Sequence, residues 1–204
     1  MLPATNRIHG CLIDLDGTVY QEGRAIDGAA SAIAALRRAG VPFRFATNTT
    51  RLPRTALAGR LASLGIPAAP EEILSAPSAA ARWLRSRGVG RVRLLLARES
   101  WGEFEGFTVD DRSPEYVVVG DLAEEWTFEI LNGAFRNLMD GAGLLAIQRN
   151  RYWRTEGGLS LDAGPFVAAL EYGSGRPPRS RASRAPPSSR PRPASWACRP
   201  SASP

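Results

Sequence analysis

Short apolar segments alternate with amphipathic helical ones along the first 90 residues, and the polar loops between them span only a few residues. Ile8 to Leu15 reads as a buried strand through Cys11-Leu12-Ile13, ahead of an acidic loop. A helix is predicted over Gly28 to Ala39, with Asp27 as its cap, Ala29, Ile33 and Leu36 near helical spacing and Gly40 as its stop. Pro42 to Ala46 is a second strand, and Pro53 to Leu64 a second helix with Leu57, Leu61 and Leu64 on one side. Ile73 to Ser75 and Ala79 to Arg87 repeat the strand and helix once more. Such an order dictates parallel β-α-β units, and it places any binding site at the carboxyl ends of the strands.

From Arg91 the same grammar returns with different content. Arg91 to Ala97, Tyr116 to Gly120 and Leu144 to Gln148 read as strands, and Phe128 to Met139 as a helix with Ile130, Leu131, Phe135 and Leu138 on one side. Gly157-Gly158 marks a turn and Pro165 to Tyr172 a last helix. The fold class is therefore α/β, with a larger and a smaller parallel-sheet module.

Charge is distributed unevenly. The chain has 204 residues and a net charge of +6, with 26 Arg and no Lys. Seven of those Arg fall in residues 176–204, which hold no acid, so the first 175 residues carry 19 Arg against 20 Asp and Glu. The tail is built from Pro, Arg, Ser and Ala with one Trp and one Cys. It cannot bury enough apolar surface to offset its ordering entropy, and disorder is expected there. Two origins stay open: a basic Pro/Ser-rich tract of the kind that binds RNA or signalling domains, or an out-of-frame reading of a GC-rich gene. Cys11 and Cys198 are too few and too badly matched for a disulfide framework. Met1 to Gly10 has no apolar stretch of signal-peptide length, and later apolar runs are strand-sized, so a cytoplasmic protein with no membrane contact is expected.

The sharpest local feature is Asp14-Leu15-Asp16-Gly17-Thr18 after the first strand. Two carboxylates at i and i+2 can converge on one point, one as nucleophile and the other as general acid and base. Together they also form a hard oxygen site suited to Mg²⁺ with water and a phosphate. The competing reading is a plain hairpin, since Asp-Gly is a strong turn signal and Thr18-Val19-Tyr20 could return as a strand. Thr47-Asn48 directly follows the second strand, so a parallel sheet would bring its hydroxyl and amide to the same edge. Both can hydrogen-bond a phosphoryl oxygen.

These motifs resemble the haloacid dehalogenase superfamily. Asp14-x-Asp16-Gly17-Thr18 is similar to its first motif and Ala46-Thr47-Asn48-Thr49-Thr50 to its second. The stretches around Leu131-Asn132-x-Ala134-Phe135-Arg136 and Gly164-Pro165-Phe166 resemble the NagD-like branch. The resemblance runs from about residue 8 to 175. It implies a Rossmann-like core lacking its C-terminal part, residues 1–88, with an α/β cap inserted at 89–162, a return helix at 163–175 and the tail at 176–204. It further implies Mg²⁺-dependent hydrolysis of a small phosphorylated metabolite through an aspartyl-phosphate. Asp14 would be the nucleophile, Asp16 the acid/base that also offers its backbone carbonyl to Mg²⁺, Thr47 a ligand of the phosphoryl group and Asn48 a support of the loop or substrate. Asp14 and Asp16 would be the metal-binding pair.

The chain departs from that pattern in having no Lys and no acidic pair after Arg176. Gly120-Asp121 precedes the Leu-Asn-x-Ala-Phe-Arg segment, so by resemblance it belongs to the cap and not to the metal site. Without further core strands, strand one would be an exposed apolar edge. The loss of one preorganised electrostatic contact costs about 10² to 10³ in rate, so weak or absent activity is expected.

Other candidates are blander. His9, the single histidine, rules out multi-histidine metal sites and reads as a strand-start residue. Trp83, Trp101, Trp126 and Trp153 read as packing residues. Gln148-Arg149-Asn150-Arg151-Tyr152-Trp153-Arg154 is either a reader of an anionic leaving group or a solvated loop. Two other classes of function stand beside the phosphatase: an inactive binding or regulatory fragment with a dimerising cap, and a nucleic-acid binder driven by the tail, which the near-neutral first 175 residues disfavour.

Overall fold

Two parallel sheets, made from successive stretches of chain, carry the fold. The computed structural model describes residues 10–155 and 157–176. Ile8, His9 and the expected disorder of the tail beyond Arg176 lie outside the described residues.

The first sheet contains β1 (Cys11–Asp14), β4 (Phe43–Thr47) and β5 (Ile73–Ser75) in the order β1-β4-β5. A small hairpin of β2 (Tyr20–Gln21) and β3 (Arg24–Ala25) leads from β1 to α1 (Ala29–Arg38), and α2 (Arg54–Ser63) crosses from β4 to β5. All pairings in the sheet are parallel, with Asp14 opposite Ala46 and Thr47 opposite Ser75. Leu15, Ile33, Phe45, Leu57, Leu61 and Ile73 close one core, where Phe43 meets Phe45 edge to face with ring centroids 5.4 Å apart. Among the described residues β1 pairs only with β4, and Leu12 on it is 67% exposed. Among the described residues strand one thus stands at the edge of its sheet.

α3 (Ala76–Arg85) follows β5 directly yet packs on the second sheet. That sheet has the order β7-β6-β8-β9, from β6 (Arg91–Leu95), β7 (Thr108–Val109), β8 (Tyr116–Val119) and β9 (Gly143–Ala146). Its pairings are likewise all parallel. Leu84 and Phe104 cover Val92, Leu94 and Val118 on one face. On the other, Ala134 and Leu138 of α4 (Phe128–Met139) and Val167 and Leu170 of α5 (Ala163–Ser174) cover Val117, Val119 and Leu144. Burial on both faces accounts for the unbroken apolar runs of β8 and β9. An antiparallel hairpin, β10 (Tyr152–Thr155) with β11 (Gly158–Leu161), closes the chain before α5.

Two local expectations change. Asp27 does not cap α1: Gly28, in the left-handed conformation, holds the cap position, and the Ala29 N–H is satisfied by the Ile26 carbonyl at 3.0 Å. α3 begins three residues earlier than its apolar spacing suggests, because Ser75 and Ser78 exchange side-chain and backbone hydrogen bonds in a capping box with Pro77 in the first turn. Glu103, from the turn after β6, ties the sheets together at the start of α2. It accepts the Arg54 N–H at 3.0 Å and pairs with the Arg54 guanidinium at 2.8 Å. Among the described residues no helix is long and apolar enough to cross a membrane.

Candidate active site

The loop after β1 is fixed by the chain itself. Leu15 is fully buried, and its carbonyl accepts the N–H groups of Val19 and Tyr20 at 2.9 and 3.2 Å. The segment after Gly17 therefore does turn back, but Tyr20 and Gln21 pair with Ala25 and Arg24 and not with β1. Asp14 and Asp16 remain exposed at the carboxyl edge of the sheet. The Leu15 N–H donates to Asp14 Oδ1 at 2.9 Å, and the Tyr20 hydroxyl lies 3.5 Å from Asp16 Oδ2. Partial burial pushes the Asp16 carboxyl above the usual carboxylate range, against the opposing charge of Arg60 and with the neighbouring Asp14 adding to the rise.

Thr47 and Asn48 stand one strand over, at the same edge. Thr47 is 8% exposed, and its hydroxyl accepts the Thr49 N–H at 3.1 Å while donating to Thr49 Oγ1 at 3.1 Å. This short side-chain turn holds the loop and aims Asn48 outward. Asp16 and Asn48 line a cleft of about 750 Å³. Thr49, Thr50, Arg51 and Arg60 complete that wall, while Asp121, Gln148, Asn150, Trp153 and Asp162 of the second module form the wall across from it. Asp14 and Thr47 sit beside the cleft at the adjoining strand ends.

The far wall holds Asp121, which motif reading placed in the cap, residues of the Gln148–Arg154 segment, and Asp162, which it did not single out. Asp121 is buried beside the cleft, where its Oδ2 lies 3.7 Å from Arg51 Nε and its Oδ1 accepts the Ala123 N–H at 2.8 Å. Asp162 is 3% exposed, and burial pushes its carboxyl above the usual range, with the Asp121 charge adding to the rise. In the Arg-rich segment, Gln148, Asn150 and Trp153 reach the cleft. Arg149 instead pairs with Glu171 at 2.8 Å, and Arg151 and Arg154 are exposed. Trp83 packs edge to face on Tyr116 and Trp126 stacks on Phe166, whereas Trp153 faces the Arg51 guanidinium at 5.7 Å.

Asp14 and Asp16 suit a divalent cation. Both residues carry hard oxygen donors on one loop, and a cation held there would offset the Asp14 charge that bears on Asp16. Mg²⁺ commonly takes one or two carboxylates and fills its remaining positions with water and phosphate. Among the described residues no cluster of three or more acidic, histidine or cysteine side chains forms.

Fold and site together define a two-module α/β protein with a polar cleft between the modules, floored by an Asp-x-Asp loop and a Thr-Asn loop. The sequence profile described as haloacid dehalogenase-like hydrolase matches residues 11–108. A rat relative, haloacid dehalogenase-like hydrolase domain-containing protein 2, is 40% identical over 171 residues, covering 84% of this chain and 65% of the relative. The chain therefore spans somewhat less than two thirds of that protein. A solved mutant of the thermostable p-nitrophenylphosphatase from Bacillus stearothermophilus superposes with a TM-score of 0.77 at 30% identity, over 84% of this chain and 68% of that one. A structure described as a putative nagD protein gives 0.78 at 26% identity, over 87% and 71%. The chain belongs to the haloacid dehalogenase-like hydrolase family, in its NagD-like branch.

Proposed function

We propose that the chain is a Mg²⁺-dependent phosphatase acting on a small phosphorylated metabolite in the cytoplasm, with the second module as a cap over the cleft. The observation that carries this reading is the common edge of the first sheet. There Asp14 and Asp16 end one strand and Thr47 and Asn48 the next, opposite a cleft roomy enough for a small ester. The p-nitrophenylphosphatase activity in the name of a structural neighbour supports the reaction class.

Asp14, oriented by the Leu15 N–H, attacks phosphorus through a carboxylate oxygen as the ester P–O bond breaks. Asp16 gives a proton to the leaving oxygen. It then takes one from the water that cleaves the aspartyl-phosphate, which returns Asp14 and releases phosphate. Asn48 holds a phosphoryl oxygen through its amide, and Thr47 does so by turning its hydroxyl hydrogen away from Thr49 Oγ1. The Asp14 carboxylate and the Asp16 main chain would hold Mg²⁺, which when bound would supply the charge neutralisation that lets an anion approach a carboxylate. Turnover is slow, because the chain has no Lys to place beside the transferring group.

Hydrolysis of p-nitrophenyl phosphate by the full 204-residue chain tests this. Weak turnover that requires Mg²⁺ and disappears in Asp14→Asn is expected. Turnover unaffected by that substitution, or by chelation, overturns the reading. Fast turnover that meets both criteria keeps the phosphatase and overturns the slow rate.

A further inference from the structure

A phosphoryl group brings about −1.5 to −2 charges into a cleft that already contains the carboxylates of Asp16, Glu99, Asp121 and Asp162. Among the described residues, which include no Lys, the cations able to balance it are guanidiniums. Two line the cleft, Arg51 and Arg60. Arg51 is committed to the far wall, 3.7 Å from Asp121 and 5.7 Å from the Trp153 ring centroid.

Arg60 is placed differently. It stands in the last turn of α2, whose Leu57 and Leu61 are buried in the first core and fix the helix against the sheet. The side chain is exposed toward the cleft and, among the described residues, takes part in no salt bridge. Its guanidinium carbon sits 5.7 Å from the ring centroid of Tyr20. Tyr20 is itself 2% exposed, with its hydroxyl 3.5 Å from Asp16 Oδ2. The ring is thus a rigid platform that touches Asp16 at one end and carries the Arg60 cation on its face.

We propose that Arg60 is the phosphoryl-binding cation of this cleft, held beside Asp16 by the buried Tyr20 ring and working with the Asn48 amide of the same wall. This rests on the phosphatase reading and names the residue that binds the substrate's charge. A guanidinium suits the task because its planar fork can give two N–H donors to one phosphate. Arg60 lies on the solvated side of a helix, so replacing it leaves the fold intact.

The test is a titration of the full-length chain with inorganic phosphate in the presence of Mg²⁺, followed through the backbone amide signals of Asn48 and Thr49. These report the cleft and are blind to the Arg-rich tail that every variant shares. The parent should show saturable shifts. Arg60→Gln should weaken phosphate binding roughly ten- to hundredfold, the range for one lost charge-assisted hydrogen bond, with an unchanged circular dichroism spectrum. Arg60→Lys should recover part of the affinity, and Tyr20→Phe, which keeps the ring, most of it. Phosphate binding that Asn48→Ala weakens and Arg60→Gln does not touch overturns the role of Arg60 alone. Amides that do not respond to phosphate in the parent overturn both this assignment and the phosphatase reading.

Discussion

The hydroxyl of Thr50 donates to Gln148 Oε1 at 2.8 Å across 98 residues of sequence. Thr50 Oγ1 itself accepts the Asp121 N–H at 3.1 Å, and Thr50 is 1% exposed. Gln148 passes the connection on, its Nε2 donating to Asp162 Oδ2 at 2.6 Å. Asp162 Oδ1 in turn takes the Ala163 N–H at the start of α5. One side chain two residues beyond Asn48 therefore fastens the Thr-Asn loop to the carboxyl ends of β8 and β9. The relative placement of the two cleft walls depends on a buried polar chain, which is favourable only while each member is paired.

Thr50→Val keeps the shape of the side chain and removes the hydroxyl. The Asp121 N–H is then buried without a partner, at about 1–3 kcal/mol, and the half-buried Gln148 Oε1 loses its donor. Urea denaturation should show that loss for Val and little of it for Thr50→Ser. A Val variant as stable as the parent contradicts the account.

Gly120 packs tightly where the second module meets Thr50 of the first. A Cβ there would meet Leu96 Cβ at 3.1 Å and both Thr50 Cβ and Ile147 Cδ1 at 3.2 Å. Gly120→Ala should cost about 1–3 kcal/mol through overpacking. In a chain of this size that lowers the melting temperature by roughly 2–4 °C per kcal/mol. An unchanged melting curve means that the contact gives way without strain.

Much of the near wall is legible from local pattern, and little of the far wall is. Strand-helix alternation fixes which segments are parallel neighbours, and parallel pairing alone carries Asp14 and Thr47 to one edge. Phe128 to Met139 announces itself because Ile130, Leu131, Phe135 and Leu138 follow the helical period over three turns. Asp121, Gln148 and Asp162 have no such signature, since no local pattern relates residues tens of positions apart. A signal existed all the same. Asp121 and Gln148 each lie two residues beyond the end of a parallel strand, the rule that singled out Asp14 and Thr47. The β10 strand escaped because Tyr152, Trp153 and Arg154 are all exposed, which leaves no buried face to alternate against, and β11 because its apolar Leu159 and Leu161 face solvent. Arg60 was hidden as one more polar residue on the outer side of a helix.

Asp162 should leave a mark on the pH dependence of stability. Its folded-state pKa is raised above the ordinary 3.8, first by burial and then by Asp121. The folded chain then holds a proton that the unfolded chain has released. Stability contributed by this group is present below 3.8 and lost as pH rises through the raised folded value. Asp162→Asn cannot ionise and keeps an acceptor for Ala163 or Gln148. Denaturation midpoints from pH 4 to 7 should therefore decline less in the variant than in the parent. Parallel pH profiles for the two chains refute the assignment.

Leu12 gives the last prediction. It projects from the open edge strand, with most of its surface in water, so it adds little to the core of the first sheet. An edge strand with unpaired backbone groups and an exposed apolar side chain is a template for pairing with another chain. A charge at that position opposes stacking of two such edges and removes no packing. Leu12→Lys is expected to change stability by about 0.5 kcal/mol or less, as for other surface substitutions. It should also lower the concentration-dependent light scattering of the purified chain. A Lys variant that unfolds much more easily would mean that Leu12 is covered in solution, and one that scatters as strongly as the parent would place the sticky surface elsewhere.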